Sequence, residues 1–283
     1  MTNMNMNSEQ AKKQIPLALL QRIEQVENWF NTRSEQEFHR KIALFDLDNT
    51  LLVGDCGEAL FAQLKIDEQV KNKPLTVYKK MIPFTWTGYQ ETLKTKGKVA
   101  AYSKIITCMA GLPLETLLET NQRVMQSNRK YLELEGVKIP VPYPYPPMQT
   151  LLVRLKALGY EIYIISASNQ YTVRYVAKEY FDIPAANVFG MQPTVVNDPQ
   201  YGEIIGADID GPATVVEGKV EVYKKNIGSI PPIISGGDST TDIMMLNLTD
   251  PNGLIIWVGT DETRLASIMK DITHPEIVYF LKR

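Results

Sequence analysis

Three short groups of residues in this chain have the types and spacing to do chemistry. Asp46-Leu47-Asp48 follows directly on the apolar run Ile42 to Phe45. Ser166-Ala167-Ser168 follows a second apolar run, and Gly236-Gly237-Asp238 a third, with Asp242 four residues later. Two carboxylates two residues apart, joined by a third from another strand, make a concentrated negative centre. Like charges packed this closely raise each other's pKa unless a cation sits among them. Cys56 and Cys108 are too few for a zinc cluster or a disulfide framework, and His39 and His274 are the only histidines. A metal here must therefore be held by oxygen, which points to a hard ion such as Mg²⁺. The hydroxyls of Ser166 and Thr50 and a lysine, Lys219, suit a phosphate oxyanion. Carboxylate nucleophile, metal, hydroxyl and lysine together describe phosphoryl transfer through an aspartyl-phosphate.

The elements that must position these groups are legible as patterns. Apolar runs at 42–45, 161–165, 232–235 and 254–258 are bounded by turn residues and read as buried parallel strands. Helical periodicity lies between them, as in Met148 to Leu158 and Val173 to Tyr180. The alternation predicts an α/β fold with a doubly wound, mostly parallel sheet, in which ligands bind outside the carboxyl ends of the strands. The three polar groups occupy those ends and are expected to converge. A helix starting at Pro16 and running to Asn31 packs outside this sheet, and residues 1 to about 14 are polar and expected to be disordered.

Residues 55–147 interrupt the alternation. They carry no convincing strand, and Tyr102, Ile105, Ile106 and Met109, then Leu117, Leu118, Val124 and Met125, recur at helical spacing. The stretch ends in a proline-rich return, with five prolines among the eight residues 140–147, expected to act as a semi-rigid strut. The expected organisation is a core of residues 1–54 and 148–283 with an inserted helical cap domain at 55–147. Residues 187–216 read as an antiparallel hairpin added at the edge of the main sheet, around the turn signal NDPQYG.

Composition narrows the function class. A chain of 283 residues, 44% hydrophobic and 22% charged, is an ordinary globular protein that needs no disulfides to hold its core. Thirty basic residues against 32 acidic ones give a net charge of −2, with no basic excess to attract nucleic acid or an anionic membrane. The polar N-terminal stretch has no signal-type apolar region, and no run approaches the ~20 apolar residues of a membrane span. The expectation is a cytoplasmic protein acting on a small molecule, with no nucleic-acid or membrane partner and its oligomeric state left open.

These motifs resemble the haloacid dehalogenase (HAD) superfamily. DLDNT at 46–50 matches its DxDx[T/V] signature, Ser166 in IISAS its second motif, Lys219 its third and GGDSTTD with Asp238 and Asp242 its fourth, in the family's order. The resemblance implies a Rossmann-like core in which Asp46 attacks phosphorus. Asp48 then protonates the leaving oxygen and activates the hydrolytic water. It also implies Mg²⁺ held by the Asp46 side chain, the Asp48 backbone carbonyl and Asp238, with Asp242 orienting Lys219 or a metal-bound water. Ser166 and Lys219 would bind the transferring phosphoryl group. Lys219 opens its helix 19 residues before Asp238, but Lys224 and Lys225 are alternatives, and Asp242 could simply cap a helix.

The position of the insertion, after the first motif, resembles the phosphoserine and phosphorylcholine phosphatase branch. In that branch acids shortly after the nucleophile face a cationic amine or trimethylammonium, which implies such a role for Asp55 and Glu58. Tyr78, Phe84, Trp86 and Tyr89 in the insertion, with Tyr143 and Tyr145 in the return, could add aromatic faces to hold a cation. The same aromatics could equally be the core of the cap, and Glu58 a helix-capping residue. Thr50, Asp55, Glu58, Trp86, Ala167 and Thr241 are thus the expected substrate-binding residues, and the substrate a small phosphomonoester. A phosphotransferase or mutase would use the same intermediate, and a phosphate-binding module the same cluster without turnover.

Overall fold

The computed structural model describes residues 15–33 and 40–283; the N-terminal stretch expected to be disordered lies outside them. Helix α1 (Leu17–Asn31) starts after Pro16 and buries Leu19, Ile23 and Val26, spaced for one helical face. Strand β1 (Lys41–Phe45) follows, then a short strand β2 (Leu52–Val53) and helix α2 (Cys56–Lys71). Helices α3 (Trp86–Thr107) and α4 (Leu114–Met125) come next. Strands β3 (Tyr131–Leu134), β4 (Val137–Pro140) and β5 (Tyr143–Pro144) complete the insertion. Helix α5 (Pro146–Ala157) leads back into strand β6 (Tyr160–Asn169), helix α6 (Gln170–Phe181) and strand β7 (Val188–Met191). Strands β8 (Pro193–Asp198) and β9 (Gly202–Ile209) precede helix α7 (Glu217–Asn226) and strand β10 (Ile234–Gly237). Strand β11 (Leu254–Gly259), helix α8 (Glu262–Ile268) and strand β12 (Val278–Lys282) end the described chain.

Six strands form one parallel sheet in the order β12-β11-β10-β1-β6-β7. Side chains alternate across it, as a strand requires. Ala43 and Phe45 enter the hydrophobic cluster shared with α1 and α5, whereas Ile42 and Leu44 enter the cluster on the opposite face with Val222 and Trp257. A strand buried on both faces reads as a continuous apolar run, and for that reason β1 was legible. The chain proceeds from β1 to β6 and β7 on one side, then to β10, β11 and β12 on the other. The switch point therefore lies between β1 and β10, where an open α/β sheet leaves a crevice.

The architecture is the expected one, a parallel α/β core with a helical cap, but several local expectations are corrected. Residues 131–140 form a β-hairpin around the turn Glu135-Gly136, burying Leu132, Leu134 and Ile139 on one side. That period-2 alternation was present in YLELEGVKIP and went unread. The proline-rich return is not a free strut. Tyr143 and Pro144 pair antiparallel with Val53 and Leu52, so the chain enters and leaves the cap through one two-stranded crossing, and Pro146 then starts α5.

The hairpin β8–β9 is a separate two-stranded sheet, and the edge strand on that side of the core is β7. The hairpin reaches the cap instead. Gly111 donates its amide to the Ile205 carbonyl at 2.7 Å, and Ile205 donates to Leu112 at 2.8 Å. The run expected at 232–235 begins two residues later, residues 188–191 pair in parallel with β6 in the main sheet and not within the hairpin, and β12 has no counterpart among the expected runs. No helix among the described residues is long and apolar enough to cross a membrane.

Candidate active site

Strand β1 delivers its acids through a tight loop anchored by Leu47. The Leu47 side chain is fully buried, and its carbonyl accepts the amides of Leu51 and Leu52 at 2.9 and 3.0 Å. Asp46 continues the ladder by donating its amide to Gly236 of β10 at 3.0 Å. Asp46 and Asp48 are thereby held at the carboxyl end of the sheet, beside the switch point.

Helix α7 brings Lys219 beneath them. Its Nζ donates to Asp46 Oδ1 at 2.5 Å and to Asp242 Oδ1 at 2.7 Å, with the lysine fully enclosed. Lys224 and Lys225, on the same helix, point to solvent. The entry into α7 is strained: Val216 has φ +51°, a conformation unfavourable for a β-branched residue. At Gly218 a Cβ would lie 1.7 Å from the Ala213 carbonyl oxygen. Backbone strain kept next to a working side chain is characteristic of functional sites. Asp242 is committed as well. Its Oδ2 accepts the amides of Asp238 and Ser239 at 3.1 and 3.0 Å, so it caps this turn and holds Lys219 at once. Asp46, Asp238 and Asp242 each offer one carboxylate oxygen, all within 4.8 Å of one another. Asp46 and Asp238 so placed fit a hard cation, whereas both Asp242 oxygens are already engaged by Lys219 and two amides.

Asp48 is held by three donors. Cys56 gives its amide to Oδ1 at 2.7 Å, and the hydroxyls of Ser166 and Ser168 donate to Oδ2 at 3.0 and 2.7 Å. Both serines lie on one face of β6 because they are two residues apart. Ser166 is enclosed and accepts the Ser168 amide at 3.1 Å, whereas Ser168 lines the cavity. Thr50 is also enclosed and reaches Asp46 Oδ2 at 3.4 Å, so it braces the carboxylate from behind.

Above these groups lies a cavity of 230 Å³, lined from the core by Asp46, Asp48, Asn49, Ala167, Ser168, Asn169, Lys219, Asp238 and Thr241. The cap contributes Asp55, Glu58, Lys98, Tyr102, Ile105, Ile106 and Met109. Gly97, at φ +82° within α3, breaks the helical conformation there and starts a new run at Lys98. From that break Lys98, Tyr102, Ile105, Ile106 and Met109 recur at helical spacing over the cavity. Asp55 is the N-cap of α2, accepting the Glu58 amide at 2.8 Å, and Glu58 accepts the Tyr89 hydroxyl at 2.7 Å.

The charges in this cavity are poised far from their ordinary state. Burial raises the pKa of Asp46 well above the usual carboxylate range; Lys219 opposes this, and Asp242, Asp238 and Asp48 add to it. Asp238 is pushed up to about 7 by burial and by Asp242, against the pull of Lys98, Arg283 and Lys219. Burial also raises Asp55, with Asp48 and Glu58 adding to it, and raises Glu58, against its hydrogen bond from Tyr89. Burial disfavours charge on Lys219, yet Asp242 and Asp46 outweigh it and its pKa rises. An acidic pocket of this kind is one into which a cation is drawn.

Ten of the expected site residues gather around this cavity, lining it or bonded to a residue that does: Asp46, Asp48, Asp55, Glu58, Ala167, Ser166, Lys219, Asp238, Thr241 and Asp242. Thr50 stands behind Asp46. Trp86 does not reach the cavity. It packs on Tyr89 at a ring separation of 5.3 Å, within a cap core that includes Phe84 and Phe61, and its amide is held by Glu135. Tyr78 and Tyr143 are exposed, and Tyr145 donates to the Lys282 carbonyl at 2.7 Å. None of the six aromatics expected to form a cage lines the cavity; the aromatic that does is Tyr102. Ser168, Asn49, Lys98 and Tyr102 were missed as site residues. Ser168 had a signal, its two-residue spacing from Ser166; Tyr102 was read only as part of a helical stripe, and Lys98 had none.

A parallel sheet with a switch-point crevice thus carries a helical cap over a carboxylate–lysine centre. Residues 43–247 match the haloacid dehalogenase-like hydrolase family, and the chain belongs to it. It is similar to the phosphorylcholine phosphatase of Pseudomonas aeruginosa, at 25% identity over 272 residues, 81% of this chain and 76% of that one. A solved structure of a conserved protein of unknown function from Anaerococcus prevotii superimposes with a TM-score of 0.60 at 17% identity, covering 93% of this chain and 94% of that one. A phospho-aspartyl intermediate analogue of phosphoserine phosphatase does so with a TM-score of 0.51 at 16% identity, covering 86% and 94%. At such identities these two structures speak for a shared fold.

Proposed function

We propose that this HAD phosphatase hydrolyses a small amine- or choline-bearing phosphomonoester through an aspartyl-phosphate on Asp46. The observation that carries the reading is that Lys219 bridges Asp46 and Asp242 within one acidic centre, open to a cavity whose far wall is also acidic. The cap is read as residues 55–147, set off from the core by the β2–β5 crossing.

In the first half-reaction an Asp46 carboxylate oxygen bonds to phosphorus as the ester P–O bond breaks. Asp48 gives a proton to the departing alcohol. In the second, Asp48 takes a proton from water, whose oxygen bonds to phosphorus, and the Asp46–P bond breaks to release inorganic phosphate. The serine hydroxyls on Asp48 suit this exchange, since a hydroxyl turns between donor and acceptor as its partner gains or loses a proton. Lys219 balances charge on Asp46 and on the transferring phosphoryl oxygens. Asp46, Asp238 and the Asp48 backbone carbonyl would hold Mg²⁺, which when bound supplies positive charge to the phosphoryl oxygens. Asp242 is occupied by Lys219 and two amides, so its part is to orient the lysine.

Substrate choice falls to the other wall. Asp55, Glu58 and the Tyr102 ring present negative charge and a π-face, beside the apolar Ile105, Ile106 and Met109. Such a surface suits an ammonium carrying methyl or methylene groups. A panel of sugar, nucleotide, aminoalcohol and choline phosphomonoesters, assayed with Mg²⁺, should favour the last two. Equal rates across the panel would remove the cationic subsite, and wild-type rates from Asp46→Asn would remove the covalent route.

A further inference from the structure

Asn49 follows Asp48 directly, lines the cavity, and sits at φ +59° in the left-handed region. Asparagine tolerates that conformation better than most residues, but still at a cost. Its amide donates to the Gly54 carbonyl at 3.0 Å. Its carbonyl oxygen and its Oδ1 both accept from Nη1 of Arg283, each at 2.9 Å, across a sequence separation of 234 residues. One guanidinium nitrogen therefore clamps both oxygens of the residue next to the general acid.

The segment bearing that guanidinium is itself tied down. The Arg283 amide donates to the Gly259 carbonyl of β11 at 2.7 Å. The neighbouring Lys282 carbonyl accepts the Tyr145 hydroxyl at 2.7 Å, and Tyr145 gives its amide to the Leu51 carbonyl at 2.9 Å. Arg283 is thus braced against the sheet and against the crossing through which the chain enters and leaves the cap.

We infer that Arg283 is a positioning residue for phosphoryl transfer, fixing Asn49 through its side chain and the Asn49–Thr50 peptide so that the neighbouring Asp46 and Asp48 stay aimed into the cavity. Both bonds come from one guanidinium nitrogen, so the contact draws on the reach and fixed charge of Arg283, and a lysine, shorter and differently shaped, keeps the charge but not the reach. A loop in an unfavourable conformation, held by a contact from outside it, relaxes when that contact is removed. Nucleophile and acid would then lose alignment while the substrate's own contacts remain. The signature is a loss of kcat without a matching rise in KM.

The inference rests on the phosphatase reading, and the test separates the two. Wild type, Arg283→Ala, Arg283→Lys and Asn49→Ala are assayed on p-nitrophenyl phosphate with Mg²⁺, each with its melting temperature. Arg283→Ala should lose about ten- to a hundredfold in kcat, the scale set by small misplacements of reacting groups. Its KM should stay within about twofold of wild type. Arg283→Lys should fall between the two, and added guanidinium ion should restore part of the Arg283→Ala rate while leaving Asn49→Ala unimproved. An active wild type with a folded Arg283→Ala of unchanged kcat would overturn the inference alone. So would a loss of kcat that guanidinium leaves untouched and that tracks a fall in melting temperature. An inactive wild type would bring down the phosphatase reading and this inference with it.

Discussion

The two walls of the cavity are built differently. On the core side three acids are bound at more than one point: Asp48 by three donors, Asp46 by Lys219 and Thr50, and, behind them, Asp242 by Lys219 and two amides. On the cap wall Asp55 and Glu58 each accept one hydrogen bond, from the Glu58 amide and the Tyr89 hydroxyl, and Lys98 makes no ion pair among the described residues. A group that must meet the same phosphoryl centre in every turnover is held rigidly. A group that only selects the leaving portion needs charge in the right region, and a looser hold suffices. Substitutions on the core wall should therefore strike kcat, and those on the cap wall should strike discrimination between substrates.

The largest effect expected is from Asp46→Asn, which replaces the nucleophilic carboxylate by a neutral amide. Turnover should fall by about 10⁴-fold or more, as for loss of other covalent nucleophiles. Asp48→Asn should cost about 10²–10⁴ in kcat, the usual worth of general acid–base help. A loss there confined to KM would contradict the division between the walls.

Within the cap, Trp86 and Tyr102 separate core from site. Trp86→Ala should destabilise the protein by about 3–5 kcal/mol, the range for deleting a buried aromatic. Substrate preference among the remaining folded molecules should not change. Tyr102→Ala should weaken a choline ester relative to a neutral ester by about 0.5–2 kcal/mol; because its half-buried ring also stacks on Tyr89, it should lower the melting temperature too, but less than Trp86→Ala does. Asp55→Asn is a milder probe, because asparagine still caps α2. A change in choline-to-neutral selectivity with α2 intact assigns Asp55 to the substrate; unchanged selectivity assigns it to capping alone.

The smallest effect is on stability against pH. Burial holds the Glu58 pKa above its ordinary 4.5, so between that value and the raised one the folded chain keeps a proton the unfolded chain has lost. The stability that this proton contributes is fully present below pH 4.5 and is lost as pH rises through the folded pKa. Glu58→Gln cannot ionise and should escape the loss. Its melting temperature in EDTA should match wild type near pH 4 and exceed it at pH 8, by about 2–4 °C for each kcal/mol involved. A higher wild-type melting temperature at pH 8 would mean that Glu58 is stabilised as an anion.

How much of this could be read from the sequence follows the same division. The core wall was legible because strand ends in a parallel sheet must meet, so Asp46, Ser166 and Asp238 could be placed together from their apolar runs alone. Lys219 could be preferred but not settled, since only the fold shows Lys224 and Lys225 facing solvent. The cap wall was not legible. Tyr102 and Trp86 both sit in apolar helical patterns, and the break at Gly97 decides which face meets the cavity. The Arg283–Asn49 contact had no local signal at all, because it joins residues from opposite ends of the chain by a long side chain. The hairpin at 131–140 is a different miss, an alternation overlooked because its neighbours were helical.

The central claim is that Asp46 becomes phosphorylated. Acid quenching during the first turnover, borohydride reduction and peptide mapping test it directly, since reduction converts a phosphorylated aspartate to homoserine. The expected result is homoserine at position 46, absent without substrate and absent from Asp46→Asn. Turnover with residue 46 unmodified in every quench, or modification at Asp48 or Asp238 instead, would contradict the account.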